Sequence, residues 1–563
     1  MNQNRLVVSA GSRRTVVGGL LAAIALVAVF APIGNGGAVG AATTKKAAKK
    51  TVRKTIRKTV AKTVPKTVAS VVTSAPNSTL IATTVANAAA PSTVAGAANV
   101  STIPTAAVGT TLLGANPAAG STVSTLVWTP CGTFECATLD VPRSYDNLVG
   151  PKISIGLQRA KATGPNPAGS VLINPGGPSG SGIDFLTNRP KLFTPAAREQ
   201  FHIIGFDPRG IGRSTALSCA STRDRDSRTS KQYIDAVRDA CYNRQPDLLP
   251  TITTANTARD MEQIRIALGE PKLNYLGVSY GTYLGLVYAD LFPDRVGRFM
   301  IDSAVDPALR AIELTAGQYA VYEARVVNFM SRCAGNRTCT FGPNSLTRYE
   351  ALLAKLQTTP LRDGAFVLDR ATLESATFAL VRQGLETTLA RLLLEFERGN
   401  AAAVTELARL FDSGIPNVND LVNDADGDGM YYQVACYEGF HSSASKDSPA
   451  AKFAILTAKA PHYSASAANL SGTQACVYWG NQTDTRPQPV AKPGVPPILF
   501  FGSINDNVTP AIGTRKVAGQ WSGSVYVEIA GAAHGVMSNN TCANDAGSVF
   551  LLTGRLPLPT ACG

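Results

Sequence analysis

The residues best suited to covalent chemistry lie in Gly277-Val278-Ser279-Tyr280-Gly281, a G-x-S-x-G pattern centred on Ser279. A serine hydroxyl is a weak nucleophile until a neighbouring base takes its proton. The flanking sequence has the form needed to present it. Leu273-Asn274-Tyr275-Leu276 reads as a short buried strand, and Tyr280 to Ala289 reads as a helix. A serine on the sharp turn between such elements stands above the sheet edge, at the positive end of the helix. In a chain with 50 glycines the pattern could arise by accident, but it occurs once, and with a strand before it and a helix after it.

An acyl-transfer serine needs a base, an acid to orient the base, and donors for the oxyanion. Four histidines are present: His202, His441, His462 and His534. His534 follows the last predicted strand, in Gly531-Ala532-Ala533-His534-Gly535, and is the expected base. His202 opens an apolar strand and reads as structural, while His441 and His462 fall in a helical region. Asp506 lies just beyond the apolar run Ile498-Leu499-Phe500-Phe501 and is the expected orienting acid, with Asp302 and Asp306 as rivals. The order Ser279, Asp506, His534 is that of α/β-hydrolases. The oxyanion donors should be the amide of Tyr280 and one from the early loop Asn174-Pro175-Gly176-Gly177-Pro178-Ser179-Gly180, with Gly177 preferred and Gly176 next. This chemistry requires no cofactor and no metal. Zinc is disfavoured by the few histidines and by cysteine spacings unlike those of fingers.

Stepping outward, strand signals at Ile153–Arg159, Ser170–Asn174, His202–Phe206, Asn274–Val278, Arg298–Asp302, Ile498–Gly502 and Val525–Ile529 alternate with helical patterns such as Thr257–Leu268. That order predicts an α/β fold with a mostly parallel sheet covered on both faces. The core should span 126–310 and 491–563. Between them, 311–490 reads as an inserted helical cap, with helices predicted over Ala316–Phe329, Ser345–Gln357 and Glu386–Leu410.

The formal charge of +14 belongs to the N-terminal extension. Of 53 Lys and Arg, 13 precede Cys131, where no Asp or Glu occurs, so 40 basic residues face 39 acidic ones in the remainder. A nucleic-acid enzyme would carry its basic patch on the fold, so no nucleic-acid partner is expected. Residues 1–41 read as a signal peptide, with Arg5, Arg13 and Arg14 before the apolar run Val16 to Phe30; an uncleaved N-terminal anchor is the alternative. Residues 42–125 read as a disordered linker. Its segment 45–66 is basic and, from Thr51 to Lys66, repeats with period four in tetrads such as Thr51-Val52-Arg53-Lys54, suited either to contact with anionic wall polymers or membrane surfaces or to a solvated spacer. Ten cysteines follow in neighbouring pairs, and an even count behind an export signal points to disulfides in a secreted or cell-envelope protein. Nearest-neighbour pairing is the simplest of many possible connectivities.

Five motifs stand in one order: Asn174–Gly182 (NPGGPSGSG), Gly205–Ser214 (GFDPRGIGRS), Gly277–Thr282 (GVSYGT), Asp506–Pro510 (DNVTP) and Ala533-His534-Gly535. Together they resemble the secreted tripeptidyl aminopeptidases, which are similar to proline iminopeptidases. The resemblance runs from about Cys131 to the C-terminus, including a terminal Cys542…Cys562 pair. It implies a capped α/β-hydrolase of the serine peptidase class, acting on peptide or protein N-termini through Ser279, Asp506 and His534. Three departures are Ser179 and Ser303, where the family usually has glycine, and Asn507, where proline is frequent. Val434-Ala435-Cys436-Tyr437-Glu438 resembles a cap segment of the family, making Glu438 a candidate partner for a substrate ammonium; an exposed surface glutamate is the plainer reading. Asp424-Ala425-Asp426-Gly427-Asp428-Gly429 opens like a calcium loop, but its twelfth position is Ala435, so a plain acidic loop is expected. An esterase or lipase using the same triad, and a wall-attached binding protein with a vestigial site, are the competing functions.

Overall fold

The computed structural model describes residues 126–219, 230–412, 425–438, 449–462, 476, 478–480, 486–559 and 562. The expected signal peptide and linker, with the basic repeat, and His441 lie outside the described residues.

The strands, in chain order, are β1 (Thr129–Cys131), β2 (Phe134–Pro142), β3 (Lys152–Ala160), β4 (Gly169–Asn174), β5 (Phe201–Phe206), β6 (Leu273–Val278), β7 (Val296–Asp302), β8 (Leu361–Asp363), β9 (Phe366–Leu368), β10 (Leu499–Ser503) and β11 (Val525–Ile529). Among the described residues, nine of them form one sheet in the order β1-β2-β3-β5-β4-β6-β7-β10-β11. From β5 to β11 every neighbouring pair is parallel, while β1, β2 and β3 add an antiparallel flank. Alternate residues of the central strands face different cores. Tyr275, Phe299, Ile301 and Phe500 pack with the helices Thr254–Ala267 and Tyr280–Leu291. Leu276, Met300, Leu499 and Phe501 pack on the other face with Phe550 and Leu551 of the helix Thr541–Thr553. Burial on both faces is why these strands read as unbroken apolar runs. Because they are parallel, the loops after β4, β6, β7, β10 and β11 all leave from one edge, the crevice side of an open α/β sheet.

The predicted strands all appear, and β1, β2, β8 and β9 are additional. In β2 the buried residues are Ala137, Leu139 and Val141, a period-two signal with a solvated opposite face. The helix predicted over Glu386–Leu410 is two helices, Glu386–Glu397 and Ala402–Asp412. Gly399 breaks them with φ of +78°, a left-handed conformation that the apolar periodicity does not register. The acidic stretch expected as a loop is helical from Ala425 to Tyr432. Its Gly429 lies against the Cys219–Cys241 disulfide so closely that a Cβ would come within 2.6 Å of both sulfurs. Tertiary packing therefore overrides the local preference of a Gly/Asp run.

The helical insertion has its own core, built from the helices Ala311–Gly335, Ser345–Thr358, Arg370–Arg382, Glu386–Glu397, Ala402–Asp412 and Pro449–Lys459, with the β8–β9 hairpin at its side. The segment around Met430, Val434 and Cys436, with Cys476 and Trp479, packs on the sheet core instead. Five disulfides join Cys131–Cys136, Cys219–Cys241, Cys333–Cys339, Cys436–Cys476 and Cys542–Cys562, the nearest-neighbour pattern.

Candidate active site

Ser279 sits between the end of β6 and the first turn of the helix Tyr280–Leu291, with φ 57° and ψ −126°. A non-glycine residue rarely holds such a conformation, which costs on the order of 1–3 kcal/mol and persists only where the surroundings enforce it. They do so here. The Ser279 amide donates to the Asp302 carbonyl at 3.0 Å, and the Thr282 amide donates back to the Ser279 carbonyl at 2.8 Å. The flanking glycines are sterically required: a Cβ on Gly277 would lie 2.3 Å from the Gly281 carbonyl oxygen, and one on Gly281 would lie 2.6 Å from that of Asn174. Tyr280 opens the helix, so its amide has no intrahelical acceptor.

The loop after β4 lies directly on this turn. A Cβ on Gly176 would come 2.5 Å from the Val278 carbonyl oxygen and 2.8 Å from the Tyr280 nitrogen. The Gly176 amide donates to the Asn174 side-chain oxygen at 2.8 Å. The Gly177 amide has no acceptor among the described residues and is the second candidate oxyanion donor beside Tyr280.

Asp506 is fully buried on the loop after β10. Its Oδ1 accepts the Val508 and Thr509 amides at 2.8 and 3.1 Å; its Oδ2 accepts Thr509 Oγ1 at 3.0 Å and pairs with His534 Nδ1 at 2.9 Å. Burial pushes this carboxyl up, but the imidazole and the two amides outweigh it, and the group lies below the ordinary aspartate value. The loops after β10 and β11 run side by side, with the Ile504 and Asn505 amides donating to the carbonyls of Ile529 and Gly531 at 3.0 Å. The helix Ala311–Gly335 holds the same loop from above: Gln318 donates to the Val508 carbonyl at 2.7 Å, Arg325 to that of Asn505 at 3.1 Å, and Asn507 bonds the Tyr322 hydroxyl.

The rival acids are otherwise engaged. The Asp302 carboxylate accepts the Val536 and Met537 amides at 2.9 and 2.8 Å. Asp306 pairs with Lys516 at 2.7 Å. Of the other histidines, His202 accepts the Ala162 amide at 2.9 Å, and burial lowers its pKa. His462 bridges Glu323 and Glu350 within the cap, and the Glu323 bond raises its pKa.

Glu438 is not on the surface; it is 3 % exposed. Its Oε1 accepts the Thr254 amide and its Oε2 accepts Thr254 Oγ1, both at 2.5 Å, and Thr254 Oγ1 is 2.7 Å from the Tyr280 hydroxyl. Burial pushes the carboxyl up to about 7, against the pull of the Thr254 bonds and of the Arg486 charge. A buried acid with so high a pKa, linked through one threonine to the residue after Ser279, is a common signature of a binding or catalytic site. Thr254 carries no sequence signal for this contact, since it lies 184 positions from Glu438. Thr509 had one, standing inside the motif DNVTP.

Comparison with known proteins follows the same line. The family model described as alpha/beta hydrolase fold matches residues 169–541. The chain is 28% identical over 467 residues to a tripeptidyl aminopeptidase of Streptomyces lividans, covering 76% of this chain and 83% of the relative. It is 27% identical over 489 residues to the serine protease Hip1 of Mycobacterium tuberculosis, with 76% and 89% covered. It is 29% identical over 459 residues to carboxylesterase B of the same species, with 76% and 86% covered. With the family model spanning most of the chain, this protein belongs to the α/β-hydrolase fold family and is a serine hydrolase.

Proposed function

We propose that the protein is an exported serine exopeptidase that releases short peptides or single residues from free N-termini. The observation carrying this reading is the His534–Asp506 pair on the sheet edge that also bears Ser279, with a buried carboxylate one threonine away from the Ser279 turn. In this reading Ser279 attacks the scissile carbonyl while His534 takes its proton, and Asp506 stabilises the imidazolium. The amides of Tyr280 and Gly177 hold the oxyanion. His534 then protonates the leaving amine, and water resolves the acyl-enzyme. Glu438 binds the substrate ammonium and so fixes the distance from the N-terminus to the cut. The relatives named tripeptidyl aminopeptidase and serine protease support peptide chemistry. Five disulfides fit an oxidising, extracellular compartment.

The relative named carboxylesterase favours a second reading, an esterase working through the same acyl-enzyme. A panel of peptide amides with free and acetylated N-termini, beside simple esters, separates the two. Turnover of free-amine peptides, lost on acetylation, supports the exopeptidase; turnover of esters alone sinks it. Ser279→Ala should fold and lose essentially all activity, and near-parental cleavage by that variant overturns the nucleophile assignment. Failure of a fluorophosphonate to label Ser279 would favour a binding protein with a vestigial site.

A further inference from the structure

We propose that Asp302 and Ser303 are a positioning pair that sets the register between the nucleophile turn and the histidine loop. The proposal rests on the catalytic roles given above to Ser279 and His534. β7 lies between β6 and β10, so its end separates the strand leading to Ser279 from the strand leading to Asp506. From there the pair reaches the Ser279 turn, β10 and the loop after His534. The Asp302 carbonyl accepts the Ser279 amide at 3.0 Å, and the Ser303 amide donates to the Phe501 carbonyl of β10 at 2.8 Å. Ser303 Oγ accepts the Gly535 amide at 3.0 Å, Asp302 Oδ1 the Val536 amide at 2.9 Å, and Asp302 Oδ2 the Met537 amide at 2.8 Å. Three consecutive amides directly after His534 thus end on two adjacent side chains, a concave array of N–H groups of the kind that cradles an anion. Ser303 Oγ also lies 3.3 Å from Asp302 Oδ1.

Two features separate this from an ordinary buried turn. Ser303 has φ of +62°, a conformation glycine adopts without strain and serine does not. Its hydroxyl explains why a side chain is kept there: without it the amide beside His534 loses its acceptor. Asp302 is a fully buried carboxylate whose two oxygens accept the two amides and, at 3.3 Å, the Ser303 hydroxyl, with no Lys or Arg paired to it among the described residues. Burial raises its pKa to about 6 although both amides oppose this, so the carboxylate is held there at a desolvation cost that its two amide bonds only partly offset.

Ser303→Gly relaxes the backbone and removes the hydroxymethyl group that carries the acceptor. We expect kcat to fall about tenfold with KM within about twofold of the parent and the melting temperature unchanged or raised, because small misplacement of a catalytic group costs rate without costing fold. Asp302→Asn removes one of two amide acceptors and a negative charge beside the histidine loop. Its kcat should fall about a hundredfold, and the acid limb of kcat/KM should move to lower pH. A Ser303→Gly variant with kcat within about twofold of the parent, or one whose lost activity tracks lost folded protein, overturns the proposal even if Asp302→Asn does not fold. If Ser279→Ala keeps its activity, the underlying catalytic reading has failed instead.

Discussion

Glu438 is the residue whose protonation should be visible in kinetics. Its carboxyl, ordinarily near 4.5, is raised to about 7 by burial, so its ionised form is disfavoured by roughly 3 kcal/mol relative to that of an exposed glutamate. By linkage, the fold is unaffected by this group below about 4.5 and loses that much stability as pH rises through about 7. An ammonium arriving at the carboxylate offsets the desolvation, which is how a buried acid can select a charged N-terminus. The KM for a free-amine peptide should therefore fall as pH rises through about 7, then rise again near ~8 as the peptide amine loses its proton. The same measurement on an acetylated ester should be flat over that window, and Glu438→Gln should flatten the free-amine profile. A parental profile in the Gln variant would remove Glu438 from substrate recognition. Asp506→Asn should leave the fold intact and lower kcat by about 10⁴, because the imidazole then loses its fixed tautomer and orientation.

At the scale of elements, the motif GFDPRGIGRS makes structural contacts. It ties β5 to the helix that carries Thr254. Arg209 and Asp260 are both fully buried and paired through two bonds of 2.7 and 2.6 Å, with Tyr145 donating to the same carboxylate at 2.8 Å. Arg209 also donates to the carbonyls of Pro142, Arg143 and Thr251, just before that helix begins. Arg209→Met leaves Asp260 buried without its cation. Urea unfolding should show a loss of about 3–5 kcal/mol, and a loss under ~1 kcal/mol would mean that the pair is solvated in solution. The cap helix Ala311–Gly335 is the other organising element, since its side chains reach Asn505, Asn507 and Val508 around Asp506. Asn507, one of the departures from the family pattern, makes one of those bonds.

For the whole molecule, the division of charge separates location from chemistry. The 13 basic residues before Cys131 lie on a chain segment outside the described residues, while the remainder is nearly balanced. Deleting residues 42–125 should leave kcat and KM for a short peptide within about twofold of the parent, while weakening salt-sensitive retention on an anionic polymer or vesicle. Unchanged retention would assign the segment to a spacer role.

Much of this site was legible in one dimension because its chemistry is confined to strand ends. Glycines around Ser279, an aspartate after one apolar run and a histidine after the next are local signals, and parallel strands bring such ends to one edge. The sequence by itself determined the α/β class, the strand–turn–helix around Ser279 and the contrast between the basic extension and the balanced core, while the cysteine connectivity was decided by the fold. It left Asp302, Asp306 and Asp506 as competing acids, since all three follow strands. Only tertiary structure separated them, by giving the Asp302 oxygens to backbone amides, Asp306 to Lys516, and Asp506 to His534. The burial of Glu438 beside Thr254, the split of the helix at Gly399, and the helical winding of the acidic glycine run were likewise decided in three dimensions. Each depends on contacts between segments far apart in the chain, or on a left-handed backbone, and neither leaves a periodic trace in the order of the residues.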